Sequence, residues 1–483
     1  MQIPRLLHIG ENNTQTKLKP KTSSDYREKY EDCLAYIDNY WKKIIRKPQK
    51  QKINHNFLKI PHHFITPNDK KFSYIFYWDS FFIFRGLMGT KKEWAMKEMI
   101  ENFVYLFDKY GIIPNFNSHA SVGRSQPPFL TSMILDVYKT FNNGNHSRSK
   151  MRAVGDLILK PASTFGHLKW LRDRMEIARK EYDRVWNNSD LYNHFVDKYG
   201  LNRYGDRDIG YAHSSELESG WDFTSRFYNR CNEFLPIDLN SYLYKYEKDF
   251  ELTANILDDN KAEIFWEEKA EKRKKTINKT MWNEDEGFFF DFNYKYKRQS
   301  DFLSLAGFVP MYEGIATFEQ AKEMVRKLKS FETDFGLTVT SESSLSPKIN
   351  LTKIPIRYRP AIIEVVKPKQ WDYPNIWPPL EYLTVIGLLR YGFTEDAKRI
   401  MKKSLDAHAK VFRENGTFFE RIDGILGDKP SNDFHYSMQS GFGWTNAIFY
   451  RYVRLLEKLE SGEDIYVFGE TLHNPPYELA ILN

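Results

Sequence analysis

Helical periodicity broken by stiff aromatic loops constrains this chain more than any other feature. From Asp25 onward, apolar residues recur at helical spacing in one segment after another. The candidate helices cover 25–47, 92–109, 128–142, 165–186, 238–257, 260–280, 317–329, 378–391, 395–411 and 442–458. Between them lie loops rich in Pro, Gly, Asn, Trp and Asp. The stretch "KQWDYPNIWPPLEYL" (369–383) holds two Trp, two Tyr, three Pro and one Asp, and prolines that dense cannot sit inside a regular helix. One segment, "GFFFDFNYKYK" (287–297), reads as a strand pair. The pattern predicts an all-α chain, built either as stacked helix pairs or as a closed α/α toroid. Residues 1–24 are polar and aperiodic and read as a mobile tail. Residues 25–483 show no domain boundary, although 344–369 breaks the helical rhythm with proline and β-branched residues and reads as an insertion.

Composition excludes several classes of function. Over 483 residues the net charge is +7, with Lys and Arg dispersed among acids, as in "EEKAEKRKKTINK" (267–279). That is a solvated helix face, whereas a nucleic-acid footprint needs a concentrated basic surface. Two cysteines, Cys33 and Cys231, are too few for a disulfide framework or a four-cysteine zinc site. No run of 18 apolar residues is present and the N-terminus has no signal-peptide core, so a cytoplasmic protein without membrane contact is expected. Phosphate-loop, dinucleotide-binding and H-E-x-x-H patterns are absent, so neither cofactor nor metal is expected. A monomer is the default expectation.

The loops share a vocabulary. Trp-Asp occurs three times, at Trp78-Asp79, Trp221-Asp222 and Trp371-Asp372, where fewer than one such pair is expected from the 11 Trp. "IIPNFNSHASVGRSQPPF" (112–129) and "GTFFERIDGILGDKPSNDFHYSMQSGFGWTNA" (416–447) add amides, arginines and further acids. Carboxylates and amides take hydroxyl hydrogen bonds while Trp and Tyr stack on the apolar faces of sugar rings. Acetal hydrolysis needs one protonated carboxylic acid and one carboxylate, the acid kept protonated by burial or like charge. The loops therefore suit a neutral polyhydroxylated ligand and carbohydrate chemistry. Taken alone, Asp222 also reads as a helix N-cap and Glu420 as a surface acid beside Arg421.

With five loops in the same order, residues 55–458 resemble the trehalases of glycoside hydrolase family 37. The resemblance implies an (α/α)6 toroid, a six-hairpin barrel with long loops and short β-hairpins at the active-site mouth. It also implies inverting hydrolysis of the α,α-1,1 bond of trehalose without metal or cofactor. "PHHFITPNDKKFSYIFYWDSFF" (61–82) is similar to the signature P-G-G-R-F-x-E-x-Y-x-W-D, placing Lys71 and Phe72 on its Arg-Phe and Trp78 and Asp79 on its Trp-Asp. Asn115 and Arg124 map to sugar-binding positions. "ESGWDFTSRF" resembles the loop of the general acid, which maps to Asp222, with Ser219 and Gly220 beside it against substrate. "KQWDYPNIWPP" resembles the second signature, Q-W-D-x-P-x-G-W-x-P, bringing Gln370, Trp371, Asp372 and Trp377 to the sugar. "FFERIDG" resembles the loop of the general base, which maps to Glu420.

The chain also departs from the pattern. Lys71 replaces an Arg, keeping the charge and losing the bidentate fork. Ile376 replaces a Gly, and His435 stands in "PSNDFHYSMQ" where the family has a glycine-rich lid and a Glu. The R-P-E-S segment has no clean match, and Arg203 or Arg207 is expected to serve for it. These departures leave two alternatives open: an inverting hydrolase acting on a charged or modified α-glucoside, and a lid-less sugar-binding homologue without catalysis.

Overall fold

Two kinds of helix alternate along the chain, and the alternation builds the fold. The computed structural model describes residues 24–48, 56–143, 162–188, 193–205, 212–345, 368–430, 437–463, 465–467 and 470–472. In chain order the helices that make the wall are α1 (Glu31–Ile44), α2 (Tyr77–Leu87), α3 (Trp94–Tyr110), α4 (Leu130–Asn143), α5 (Ala162–Glu181), α6 (Ile237–Ile256), α7 (Asn260–Met281), α8 (Val309–Glu313), α9 (Phe318–Arg326), α10 (Pro378–Arg390), α11 (Thr394–Asn415) and α12 (Gly443–Ser461). The odd-numbered helices bury one stripe. In α7 this is Trp266, Ala270, Arg273, Ile277 and Met281, the spacing of a single helical face. The even-numbered helices are enclosed: every residue of α2 and α8 is buried, and in α10 every residue but Arg390.

The enclosed helices form an inner ring. α12 packs on α2 and α10, α10 on α8, α8 on α6, and α6 on α4. Between α2 and α4 the ring is joined by the buried ion pair Arg85–Asp136 and by Phe81 stacked 4.1 Å from Phe129. The amphipathic helices pack outside, α5 on α4, α7 on α6 and α11 on α10. This is an (α/α)6 toroid. Apart from 144–161 between α4 and α5, connections from inner to outer helices are short, such as 257–259 and 391–393, while those entering the inner helices are long. The long loops therefore gather at the N-terminal ends of the inner ring, where helix dipoles present their positive ends.

The helical segments read from periodicity correspond to outer helices and to α4, α6, α10 and α12, with ends shifted by a few residues; the 165–186 segment ends in a π-helical turn at Tyr182–Trp186. Periodicity misses the short α8 and also α2, a segment that reads as loop. "YWDSFFIFRGL" is apolar on every side because it is packed on every side, so no polar face marks its period. The 287–297 segment is indeed extended. Phe288–Phe289 pairs with Trp282–Asn283, and Phe292–Asn293 lies between Phe234–Leu235 and Arg298–Gln299. Most of the expected tail (1–23) and insertion (346–367), with Arg207 and His435, lie outside the described residues.

Candidate active site

At the loop end of the ring the structure encloses a cavity of about 370 Å³. Asp222 reaches it from a sharp turn ahead of α6. Gly220 sits there at φ +77°, and a Cβ on it would come within 2.7 Å of the Trp78 ring. Asp372 ties this turn down by accepting from Thr224 Oγ1 (3.1 Å), Ser225 N (2.9 Å), Ser225 Oγ (2.6 Å) and Lys369 N (2.8 Å). Both carboxylate oxygens of Asp222 accept hydrogen bonds from the 368–377 loop: Trp371 Nε1 donates to Oδ1 and Gln370 Nε2 to Oδ2, each at 3.0 Å. Burial pushes the Asp222 carboxyl up to about 6, against the opposing pull of the Trp371 and Gln370 donors and of the Arg421 charge.

The same loop holds Glu420. Its strand β1 (Asn375–Ile376) pairs antiparallel with β2 (Ile422–Asp423), two residues beyond Glu420. Gly424 N donates to Pro374 O (2.8 Å) and Arg421 Nε to Asn375 Oδ1 (3.2 Å). From the other side Glu420 N donates to Gln439 O (3.0 Å), and Trp444 Nε1 donates to Glu420 O (3.0 Å). The Glu420 side chain is 2% exposed and lies 3.5 Å from Arg421 Nη1. One proline-stiffened loop thus fixes two carboxylates that are remote in sequence.

A third carboxylate, Asp79, stands in the first turn of α2 and is 4% exposed. Burial, then the charge of Glu420, then that of Asp222, raise it well above the usual carboxylate range. Asn115, Arg124 and Gln126 line the opposite wall. Gln126 Oε1 accepts from Trp78 N (3.1 Å), and Asn115 Nδ2 donates to Leu217 O (3.3 Å). Behind this wall Glu218 accepts from Ser125 N (2.9 Å), Gly205 N (2.7 Å) and His194 Nε2 (2.7 Å), while His194 Nδ1 faces Val185 O at 2.8 Å.

Of the residues singled out from sequence, Lys71, Phe72, Trp78, Asp79, Asn115, Arg124, Gly220, Asp222, Trp371 and Glu420 line the cavity. Ser219, Gln370, Asp372, Trp377 and Arg203 do not. Ser219 Oγ braces its own turn, donating to Glu216 O and accepting from Trp221 N. Trp377 lies 3.7 Å beneath Trp371, nearly parallel, with Nε1 on Gln370 O. The Arg203 guanidinium donates to the carbonyls of Asn193 and Asn232. Sequence reasoning missed Tyr74, Phe76, Phe116, Gln126, Phe442 and Trp444, which also line the cavity. All six stand inside loops that were singled out, but nothing in a one-dimensional pattern tells a lining side chain from its neighbour. Among the described residues no group of three or more His, Cys, Asp or Glu side chains is placed to hold a metal ion.

A closed ring of helix pairs with carboxylates and aromatic rings around a cavity at its loop end is the architecture of the six-hairpin toroids. The trehalase family model matches residues 8–458, and the chain belongs to that family. It is 30% identical over 453 residues to a cytosolic neutral trehalase of Beauveria bassiana, covering 80% of this chain and 57% of that protein. It is 31% identical over 444 residues to a probable trehalase of Saccharomyces cerevisiae, covering 78% and 53%. The chain thus spans little more than half the length of these relatives. Among solved structures, the neutral trehalase Nth1 of Saccharomyces cerevisiae superposes with a TM-score of 0.66 at 28% identity, over 81% of this chain and 73% of that one. A GH63 mannosylglycerate hydrolase from Thermus thermophilus shares the fold, with a TM-score of 0.60 at 15% identity over 87% and 99% of the two chains. Among the described residues no helix is long and apolar enough to cross a membrane.

Proposed function

We propose that this protein hydrolyses α,α-trehalose to two glucose molecules with inversion. The observation that carries the reading is the convergence of Asp222 and Glu420 on one cavity, with the Asp222 carboxyl held at about 6. Protonated Asp222 gives its proton to the bridging oxygen as the glycosidic bond breaks. Glu420 takes a proton from a water that attacks the anomeric carbon on the opposite face, through an oxocarbenium-like transition state. The attacked ring leaves as β-glucose and the other as α-glucose. Asp79 hydrogen-bonds a hydroxyl of the reacting ring, and Asn115, Arg124 and Gln126 bind others. Membership of the trehalase family and the names of the relatives support trehalose as the substrate. Two of the relatives are named cytosolic, which favours a cytosolic site of action.

Proton NMR of the first product tests the mechanism. The attacked glucose should appear as the β anomer, followed by mutarotation; appearance of the α anomer alone would refute inversion. Asp222→Asn and Glu420→Gln should each abolish most glucose release.

A further inference from the structure

The cavity has two chemically different halves. The polar side chains Asp79, Asn115, Gln126 and Glu420 are all buried. Phe72, Tyr74, Phe76 and Phe116 are half-buried aromatic lining residues toward the opening, beside exposed Lys71, and Arg124, Leu217 and Asp222 are half-buried with them. Their rings form one continuous ladder from floor to mouth. Trp371 lies on Trp377, Trp444 packs edge-on to both, and Phe442 stands 4.5 Å from Trp444. Phe442 then meets Phe72, Phe72 meets Phe76, and Phe76 lies 4.9 Å from Phe116. Phe116 meets Tyr74, which stacks 4.2 Å from Phe57.

The anomeric carbon must sit between Asp222 and Glu420, so the reacting glucose occupies the buried polar half. The leaving unit then projects toward the opening. The four half-buried rings there offer a single hydroxyl, that of Tyr74. In the signature given above, position 74 carries Glu and position 76 carries Tyr. Here Tyr74 and Phe76 remove the carboxylate and move the one phenol hydroxyl from position 76 to position 74.

We propose that the outer half of the cavity is a stacking subsite for the leaving unit. It grips a flat apolar face more than a set of hydroxyls, so α-glucosides with aryl or similarly flat aglycones are substrates beside trehalose. The inference rests on the hydrolysis proposed at Asp222 and Glu420.

Three substrates separate the two readings: α-glucosyl fluoride, whose leaving group is one atom, trehalose, and 4-nitrophenyl α-glucoside. The wild type should turn over all three, with kcat/KM for the aryl glucoside within about ten-fold of that for trehalose. Tyr74→Ala and Phe116→Ala should lower kcat/KM for the aryl glucoside, relative to the fluoride, by about ten-fold. Tyr74→Glu should shift the aryl-to-trehalose ratio toward trehalose. Turnover of fluoride and trehalose without the aryl glucoside overturns the stacking subsite and leaves the hydrolase standing. An unchanged aryl-to-fluoride ratio in both alanine variants also overturns it. No turnover even of the fluoride by the wild type overturns both readings.

Discussion

Asp79 and Asp222 share a cavity, and burial raises both carboxyls above the usual range. Asp222 accepts from Trp371 and Gln370, which stabilises its ionised form and leaves it near 6, within reach of a titrating acid. Asp79 is raised by burial, by the charge of Glu420 and by that of Asp222. Asp222→Asn and Glu420→Gln should therefore lower kcat by roughly 10²–10⁴-fold. Asp79→Asn keeps the size of the side chain and supplies an N–H donor, and should stay within about ten-fold of wild type in kcat/KM. A general acid must be protonated, so kcat/KM should fall as pH rises through about 6. Trp371→Phe removes a donor to the ionised form, so the alkaline limb should move to higher pH; a pH–rate profile of the variant checks the sign. Both carboxylates were legible in the sequence because each stands in a distinctive loop. Asp372 reads from its Trp-Asp context as a sugar ligand or a loop brace, and its three hydrogen bonds from Thr224 and Ser225 make it a brace of the Asp222 turn.

Among the elements, the 368–377 loop joins acid to base. It donates to Asp222 at one end and pairs with the Glu420 segment at the other. Asp372→Ala would leave several buried donors without their acceptor, at about 1–3 kcal/mol for each one unsatisfied. The expected result is a lower urea midpoint together with a lower kcat, because the turn carrying Asp222 loses its anchor. Gly220→Ala should act similarly, with about 1–2 kcal/mol from the left-handed backbone and a further loss from the collision with Trp78. Helix legibility followed packing geometry only in part, since α10 is nearly as enclosed as α2 and still reads as a helix. Outer α7 shows its period because one face meets water, whereas inner α2 is enclosed and shows none.

Across the whole molecule, the ring buries charge as well as carbon. The Arg85–Asp136 pair lies fully inside between α2 and α4. Asp136→Ala should cost about 3–5 kcal/mol by stranding the guanidinium; chemical denaturation measures this, with KM unchanged as the control for the site. Burial also raises Glu181, Glu216 and Glu381 to about 7 and lowers His408 to about 4. A glutamate raised in the folded state stabilises the fold below its unfolded value and loses that contribution as pH rises through the folded value. The buried histidine acts in the opposite sense between about 4 and its ordinary value. Three glutamates outweigh one histidine, so the urea midpoint should fall between about pH 5 and about pH 7.

By itself the sequence determined the helical class, the alternation with stiff loops and the identity of the chemical loops. These are local properties, written in periodicity, proline placement and short motifs. The tertiary structure alone decided which residues of each loop face the cavity, that α2 is a wall of the ring, and that burial beside Glu420 raises the Asp79 carboxyl. Those facts depend on packing and electrostatics among groups distant in the chain, and desolvation acts on a group only once the ring has closed around it.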